Sequence, residues 1–338
     1  MQVSSIKPIK NNMNLHLTLK RDLQNKRKLY LIGALIIVFS ILYLTVGVNF
    51  EHVDYAMSQR IPKLIAIILT GGCIAFSSVI FQTITNNNIL TPSVLGLDSL
   101  YILIQTMLVF FIGMNSKFMT SKNHNFLLSV TIMVIASFVL YKKLFEKSNN
   151  NIFFLLLIGM IFGTLFKSIS TFMQVMIDPN EYASLQNSLY ASFGNVNTDI
   201  ITMAIIMIVI MFPFICDDLK YLDVIGLGKE HAINLGVDYD KVVKKMIVVV
   251  SILVSISTAL VGPLTFLGLL VVNITKQLLS TYKHLYIIIC SVLVSIVTLV
   301  GGQLLVEHVF TFETTLSVII NFVGGIYFIY LLLKESRV

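Results

Sequence analysis

Apolar runs of roughly 17 to 27 residues, parted by short polar segments, recur along almost the whole chain. They fall at 29–48, 61–84, 94–114, 125–145, 151–177, 199–216, 242–261, 263–279, 284–305 and 314–333. None shows the strict alternation of a barrel strand, and a segment in hydrocarbon must satisfy its own backbone hydrogen bonds, so each run is expected to be a helix. The pattern predicts an all-α, polytopic membrane protein with about ten transmembrane helices.

One long segment between these runs is highly charged, Asp217 to Lys245. Within it, Lys229 to Leu235 is a short amphipathic piece bracketed by Gly228 and Gly236, and a glycine is what a helix needs at a left-handed C-terminal cap. A short surface helix held between two spans accounts for this pattern. A solvated connecting loop accounts for its charge alone.

Composition supports the membrane reading. With 56% apolar and 12% charged residues, and a mean hydropathy of +0.87, the chain lacks the polar surface to cover a soluble globule. Three cysteines, Cys73, Cys216 and Cys290, lie in or beside apolar runs with no Cys-x-x-Cys spacing, which implies neither a disulfide framework nor a metal centre. No cofactor is expected. The 24 basic residues outnumber the 17 acidic ones but are scattered between spans, so they report orientation rather than nucleic-acid binding.

Placing the N-terminus inside puts roughly 19 of the Lys and Arg residues on the cytoplasmic side. The contributors are the tail before residue 29, Lys142, Lys143 and Lys147, the lysines of 217–245, Lys276 and Lys283, and Lys334 and Arg337. Outer loops carry Glu51 and Asp54, Asp178 and Glu181, and Glu307 and Glu313. Both termini and the charged segment are then cytoplasmic. The expected organisation is a basic cytoplasmic tail at 1–28, retained rather than cleaved as a signal peptide, and a single membrane domain at 29–338 with its charged loop at 217–245.

Several polar residues sit where charge is costly or unexpected. Arg60 and Lys63 stand three apart at the outer start of the second span, on one helix face, as docking groups for something acidic or as side chains reaching outer headgroups. Lys167 lies near the middle of the fifth span, lining a path for an anionic substrate or pairing with a carbonyl, and Asp98 lies beside a span end. Gly159 and Gly163 form a small-xxx-small pair for a close helix crossing, within the subunit or against a partner. No row of carboxylates or histidines stands at the midplane to bind coupling ions, so an ion-driven secondary transporter is disfavoured. There is no G-x-x-x-x-G-K-[ST] loop for nucleotide phosphates, and no nucleophile stands beside a base at usable spacing, which disfavours a membrane enzyme.

From Arg60 to Ser99 the sequence RIPKLIAIILTGGCIAFSSVIFQTITNNNILTPSVLGLDS resembles, without a gap, the second-span signature of the FecCD-type permeases that import iron-siderophores and vitamin B12, at Arg60, Pro62, Gly71, Ala75, Ser77, Gln82, Asn87, Pro92, Leu95, Gly96 and Ser99. Leu227, Gly228, Lys229, Glu230, His231, Ala232, Leu235 and Gly236 are similar to the family's coupling element. Gly262 to Asn273 resembles a third motif, with Val272 and Asn273 in place of Pro-His, and Gly324 to Leu331 a fourth, with Ile326 for proline.

The resemblance implies a type II importer permease fold in a bacterial cell membrane. It also implies a coupling helix seated on cytoplasmic ATPase subunits, a second permease subunit, an extracytoplasmic binding protein docking near Arg60 and Lys63, and an iron-chelate substrate with cobalamin or haem as alternatives. Gln82 and Asn87, together with Gly159, Gly163 and Lys167, become candidates for the translocation path or its packing. Lys63 stands where the family has a second arginine, and a third has no counterpart near Val306 and Glu307. Docking is therefore expected to be weaker or shared with a different permease partner.

Overall fold

A computed structural model describes residues 7–48, 52–114, 116, 119, 121–147, 152–190, 192–194, 196–311 and 313–335. Glu51, Lys117 and Arg337 lie outside them. Among the described residues every regular element is helical. In chain order these are α1 (Lys7–Thr45), α2 (Val53–Thr85), a 3-10 turn (Pro92–Leu95), α3 (Leu97–Ile112), α4 (Lys122–Lys147) and α5 (Ile152–Met176). There follow α6 (Pro179–Leu189), α7 (Thr198–Cys216), α8 (Leu219–Ile225), α9 (Lys229–Asn234), α10 (Tyr239–Val261), α11 (Leu267–Leu278), α12 (His284–His308) and α13 (Leu316–Glu335).

Eight of the helices are long and apolar enough to cross a bilayer, and the chain is a multi-pass membrane protein. The two remaining apolar runs form shorter helices: α3 has 16 residues and α11 has 12, about 24 Å and 18 Å of rise. Each starts behind irregular backbone, Thr91–Gly96 before α3 and Gly262–Phe266 before α11. Non-helical backbone at membrane depth is tolerated where protein surrounds it. α1 runs through residue 28 unbroken, and Lys28 donates to the Leu278 carbonyl at the end of α11.

The bundle is assembled around α2, whose 33 residues rise about 50 Å. It packs along α10 and α12. Small side chains let these axes approach: a Cβ at Gly71 would lie 2.9 Å from the Ser295 Oγ of α12. Two large apolar cores and a smaller one around Cys73 sit on α2. Val79, Ile80, Phe81 and Ile84 belong to one large core, with Leu222, Ile225, Ala232, Val242, Val243 and Met246. Ala66, Ile67 and Ala75 belong to the other large core, with Tyr43, Phe126, Ile201 and Leu299. The outward faces of α5, α7 and α13 carry exposed Phe153, Phe172, Val175, Val209, Phe212 and Phe322, a surface suited to lipid or to another membrane subunit.

Helix ends are set by local chemistry. Asp178 caps α6, accepting from the Asn180 N–H ahead of Pro179 at the first helical position, and Asn197 caps α7 through the Ile200 N–H. α2 ends at Asn86 in the left-handed conformation, with the Asn87 N–H returning to the Gln82 carbonyl.

The Gly159/Gly163 pair resolves as packing inside the subunit. A Cβ at Gly159 would lie 3.0 Å from the Leu95 Cα, one at Gly163 would lie 3.2 Å from the Gly96 Cα, and Gly96 itself adopts a φ of 78°. Backbone therefore meets backbone where the 3-10 turn crosses α5. Gly163→Val is expected to destabilise the protein by about 1–3 kcal/mol through overpacking, read as a lower melting temperature of the solubilised importer. An unchanged melting temperature would show that the crossing is loose.

Candidate functional site

The charged segment folds into α8 and α9 at one end of the bundle. α9 is a helix of fewer than two turns, which cannot persist on propensity alone, so its ends and its inner face hold it. Gly228, at φ 101°, precedes it. At its far end the Gly236 N–H donates to the Ile233 carbonyl (2.9 Å) and the Val237 N–H to the Ala232 carbonyl (3.1 Å), with Gly236 at φ 83°. That pair of bonds is the Schellman arrangement, and it is the left-handed cap expected from the sequence. A Cβ at Gly228 or Gly236 would meet nothing within 4 Å, so the glycine requirement at both is one of backbone conformation and not of space.

The inner face of this element is fixed to the bundle. Leu222, Ile225 and Ala232 are essentially fully buried in the core shared by α2 and α10. Asp223 Oδ1 accepts from both the backbone N–H and the Nδ1 of His284 at 2.7 Å, joining α8 to the start of α12. Asp218 pairs with Lys245 of α10 at 2.7 Å, and Tyr239 OH donates to the Ile84 carbonyl near the end of α2. The outer face is open: Leu227, Ile233 and Leu235 are exposed apolar residues beside exposed Lys229, Glu230 and His231. An apolar patch rimmed by charge suits contact with another protein.

Arg60 and Lys63 lie toward the opposite end of α2, about 36 Å along the helix from Ile84. Both are half-buried, but they are not equivalent. Arg60 Nη1 donates to the carbonyls of Tyr43 (2.6 Å) and Val46 (2.8 Å), and its guanidinium stands 5.7 Å over the Tyr43 ring. It thereby caps the C-terminus of α1, whose last carbonyls would otherwise lack donors. Tyr43 OH in turn donates to Glu307, which also accepts from Gln303. Lys63 makes no hydrogen bond among the described residues.

Between the two ends, Lys167 is exposed on the wall of a chamber of about 310 Å³. Ser170, Thr171 and Gln174 continue its stripe along α5, and Gln186 and Asn321 face it from α6 and α13. Asn321 Oδ1 is buried without a hydrogen-bond partner. Three to four residues apart, the α5 groups share one helix face, so the chamber has a polar wall inside an apolar bundle.

Gln82 and Asn87 are parts of one junction. Asn87 Oδ1 accepts from the Ile89 N–H at 2.8 Å, shaping the turn after α2. Lys276 Nζ donates to Gln82 Oε1 (2.9 Å) and Asn88 Oδ1 (2.6 Å), while Asn273 Nδ2 donates to the Asn88 carbonyl (3.0 Å). Sequence reasoning set Asn273 aside because it departs from the family pattern, and used Lys276 only as an orientation charge. The signal that could have found them is their spacing of three on α11, which places both on one face.

Asp98 was expected beside a span end. It lies in the first turn of α3 among Ser78 of α2 and Thr258 of α10, inside the bundle. Removing the guanidinium in Arg60→Leu is expected to destabilise the solubilised protein by about 2–4 kcal/mol, because two charge-assisted bonds to carbonyls are lost, while Lys63→Leu leaves the melting temperature nearly unchanged. Equal effects of the two substitutions would contradict the distinction.

Residues 29–334 match the profile of the FecCD transport family. The chain is 56% identical over 315 residues to the petrobactin import system permease protein YclO of Bacillus subtilis, covering 93% of this chain and 99% of that one. It is 39% identical over 279 residues to the petrobactin import system permease protein FatC of Bacillus anthracis, covering 82% and 79%. A solved inward-facing structure described as a metal-chelate type ABC transporter superposes with a TM-score of 0.79 over 92% of this chain and 99% of that one, at 20% identity, a likeness of fold.

Proposed function

The chain belongs to the FecCD transport family, and from that membership we propose that it is the membrane-spanning subunit of an ATP-driven importer for a ferric siderophore. Its 56%-identical relative being a petrobactin import permease supports that chemical class of cargo. The subunit carries no nucleotide-phosphate loop of its own, so hydrolysis belongs to a partner.

In this reading the α8–α9 end faces the cytoplasm and both termini are inside, in line with the distribution of Lys and Arg. Leu227, Gly228, Lys229, Glu230, His231, Ala232, Leu235 and Gly236 form the coupling element. Its exposed apolar residues seat on the ATPase while buried Ala232 and its neighbours carry the displacement into α2, α10 and α12. Fusion of that element with the core of α2 is the observation that carries the proposal, because a surface loop without such an anchor would absorb motion instead of passing it on.

Lys63 is the main docking charge of this chain for an acidic extracytoplasmic binding protein, with Arg60 contributing the donors not used on α1. A pair so reduced fits a heterodimer in which a different permease supplies the remaining charge. Fe(III) chelates built on anionic oxygen donors are commonly net-negative, and Lys167 with Ser170, Thr171 and Gln174 offers them a cationic, hydrogen-bonding wall. Gln82 and Asn87, by shaping the turn after α2, close that path at the cytoplasmic end.

Uptake of ferric petrobactin by cells expressing this chain should persist with a protonophore and stop when ATP is depleted; the reverse pattern would overturn the proposal. Gly236→Val is expected to leave the complex assembled but to lower uptake roughly tenfold or more at unchanged ATP hydrolysis, because a β-branched residue cannot hold the left-handed cap. Normal transport in that variant would remove the coupling role. Lys63→Glu should raise the Kd for the binding protein, and Lys167→Glu should cut uptake while Lys167→Arg retains it.

A further inference from the structure

The two short helices begin at the same place. Leu97 opens α3 and Leu267 opens α11, and between their first turns and the flanks of α2 and α10 lies a cavity with about 20 Å³ of room for a water-sized sphere. That is space for one water molecule or one small ion. Its polar wall is all oxygen: the Asp98 carboxylate and the hydroxyls of Ser78, Thr91, Ser93, Ser257, Thr258 and Thr265, of which Ser257 already donates to the Val254 carbonyl.

Two of these oxygens lack partners. Ser78 is fully buried and its Oγ makes no hydrogen bond, and Asp98 Oδ2 is buried without one. The hydroxyls of Ser93, Thr265 and Thr258 hydrogen-bond the same carboxylate, and among the described residues no other charged side chain lines the cavity. A buried polar oxygen left alone costs free energy, and a carboxylate without a counter-charge inside a membrane bundle costs more. Gly268 makes the space: a Cβ there would collide with Ser78 Oγ and fill the cavity.

We propose that this cavity binds a sodium ion, held by Asp98 and the hydroxyls of Ser78, Ser93, Thr258 and Thr265. An all-oxygen set suits a hard cation, not a soft or transition metal. A single carboxylate balances a single positive charge, whereas a divalent ion would leave an uncompensated charge in a low-dielectric interior. Broken helices with irregular backbone at a small polar cavity are also a setting in which membrane transporters coordinate sodium. The ion ties the 3-10 turn and the start of α3 to α2, α10 and the start of α11, and so fixes how the two short helices meet. The site adjoins the Lys167 chamber, with Thr265 lining both, but all its proposed ligands come from this chain and none from a chelate.

The test uses the complete importer in nanodiscs. Binding of ²²Na⁺ is measured in parallel with melting temperature in NaCl, KCl and choline chloride at equal ionic strength. The expected result is saturable binding and a higher melting temperature in sodium alone, both lost in Asp98→Asn. Ser78→Ala should weaken ²²Na⁺ affinity about tenfold, the loss of one oxygen ligand. Gly268→Ala should abolish binding without removing any charge, which keeps the inference testable if Asp98→Asn fails to assemble. Identical melting in all three salts with no saturable ²²Na⁺ binding would overturn it and leave Asp98 as a protonated or water-bridged acid. Siderophore uptake is scored separately, so failure of the sodium site leaves the transport assignment standing, and the converse also holds.

Discussion

Burial of the inner face of a short charged element against the end of the central helix is the constraint on which the other features depend. Leu222, Ile225 and Ala232 share one apolar core with Val79, Phe81 and Ile84 of α2 and with Val242, Val243 and Met246 of α10. Core packing is dense and resists small displacements, so a force applied to α9 moves the helices behind it before it deforms the contact. The polar ties add direction: Asp223 fixes α8 to α12, and Asp218 fixes it to α10. Removal of either core or ties would leave a charged loop of ordinary flexibility between two spans.

α2 extends that constraint across the bundle. Its far end holds Arg60, which is committed through Nη1 to the last carbonyls of α1. The N-terminal start of the helix is thus pinned to one neighbour and its C-terminal end to another, with close small-residue crossings between them. The 3-10 turn against Gly159 and Gly163 adds a further backbone-to-backbone contact, so the turn after α2 and the wall that bears Lys167 are parts of one connected structure.

Much of this was legible in the chain before folding. The ten apolar runs appear as eight full-length and two short helices, and the glycine at 236 takes the left-handed cap that its position suggested. Both readings rest on local rules of run length, polarity and the conformational freedom of glycine. Features that depend on long-range partners were not legible. Nothing near Arg60 in sequence announces that α1 ends beneath it, and the spacing of Gly159 and Gly163 says that something approaches closely without saying what. Asp98 illustrates the same limit: it stands at a helix end, in the first turn of α3, as hydropathy suggested, but nothing local announces that this end is packed among residues of α2 and α10. Asn273 and Lys276 belong to one polar junction only because Asn88 is brought beneath them.

The central claim is that α9 and the helices behind it move as one body. Spin labels at Glu230 on α9 and Lys244 on α10 in the assembled importer, compared by pulsed dipolar spectroscopy without nucleotide, with a non-hydrolysable ATP analogue and after hydrolysis, test it most directly. The account predicts one unchanged distance distribution in all three states, while the distance from Glu230 to a label on the ATPase partner's rigid core also stays fixed and that between labels across the proposed pair of permease subunits shifts. A Glu230–Lys244 distance that changes with nucleotide state would contradict it, because the element would then be flexing against the bundle instead of carrying it.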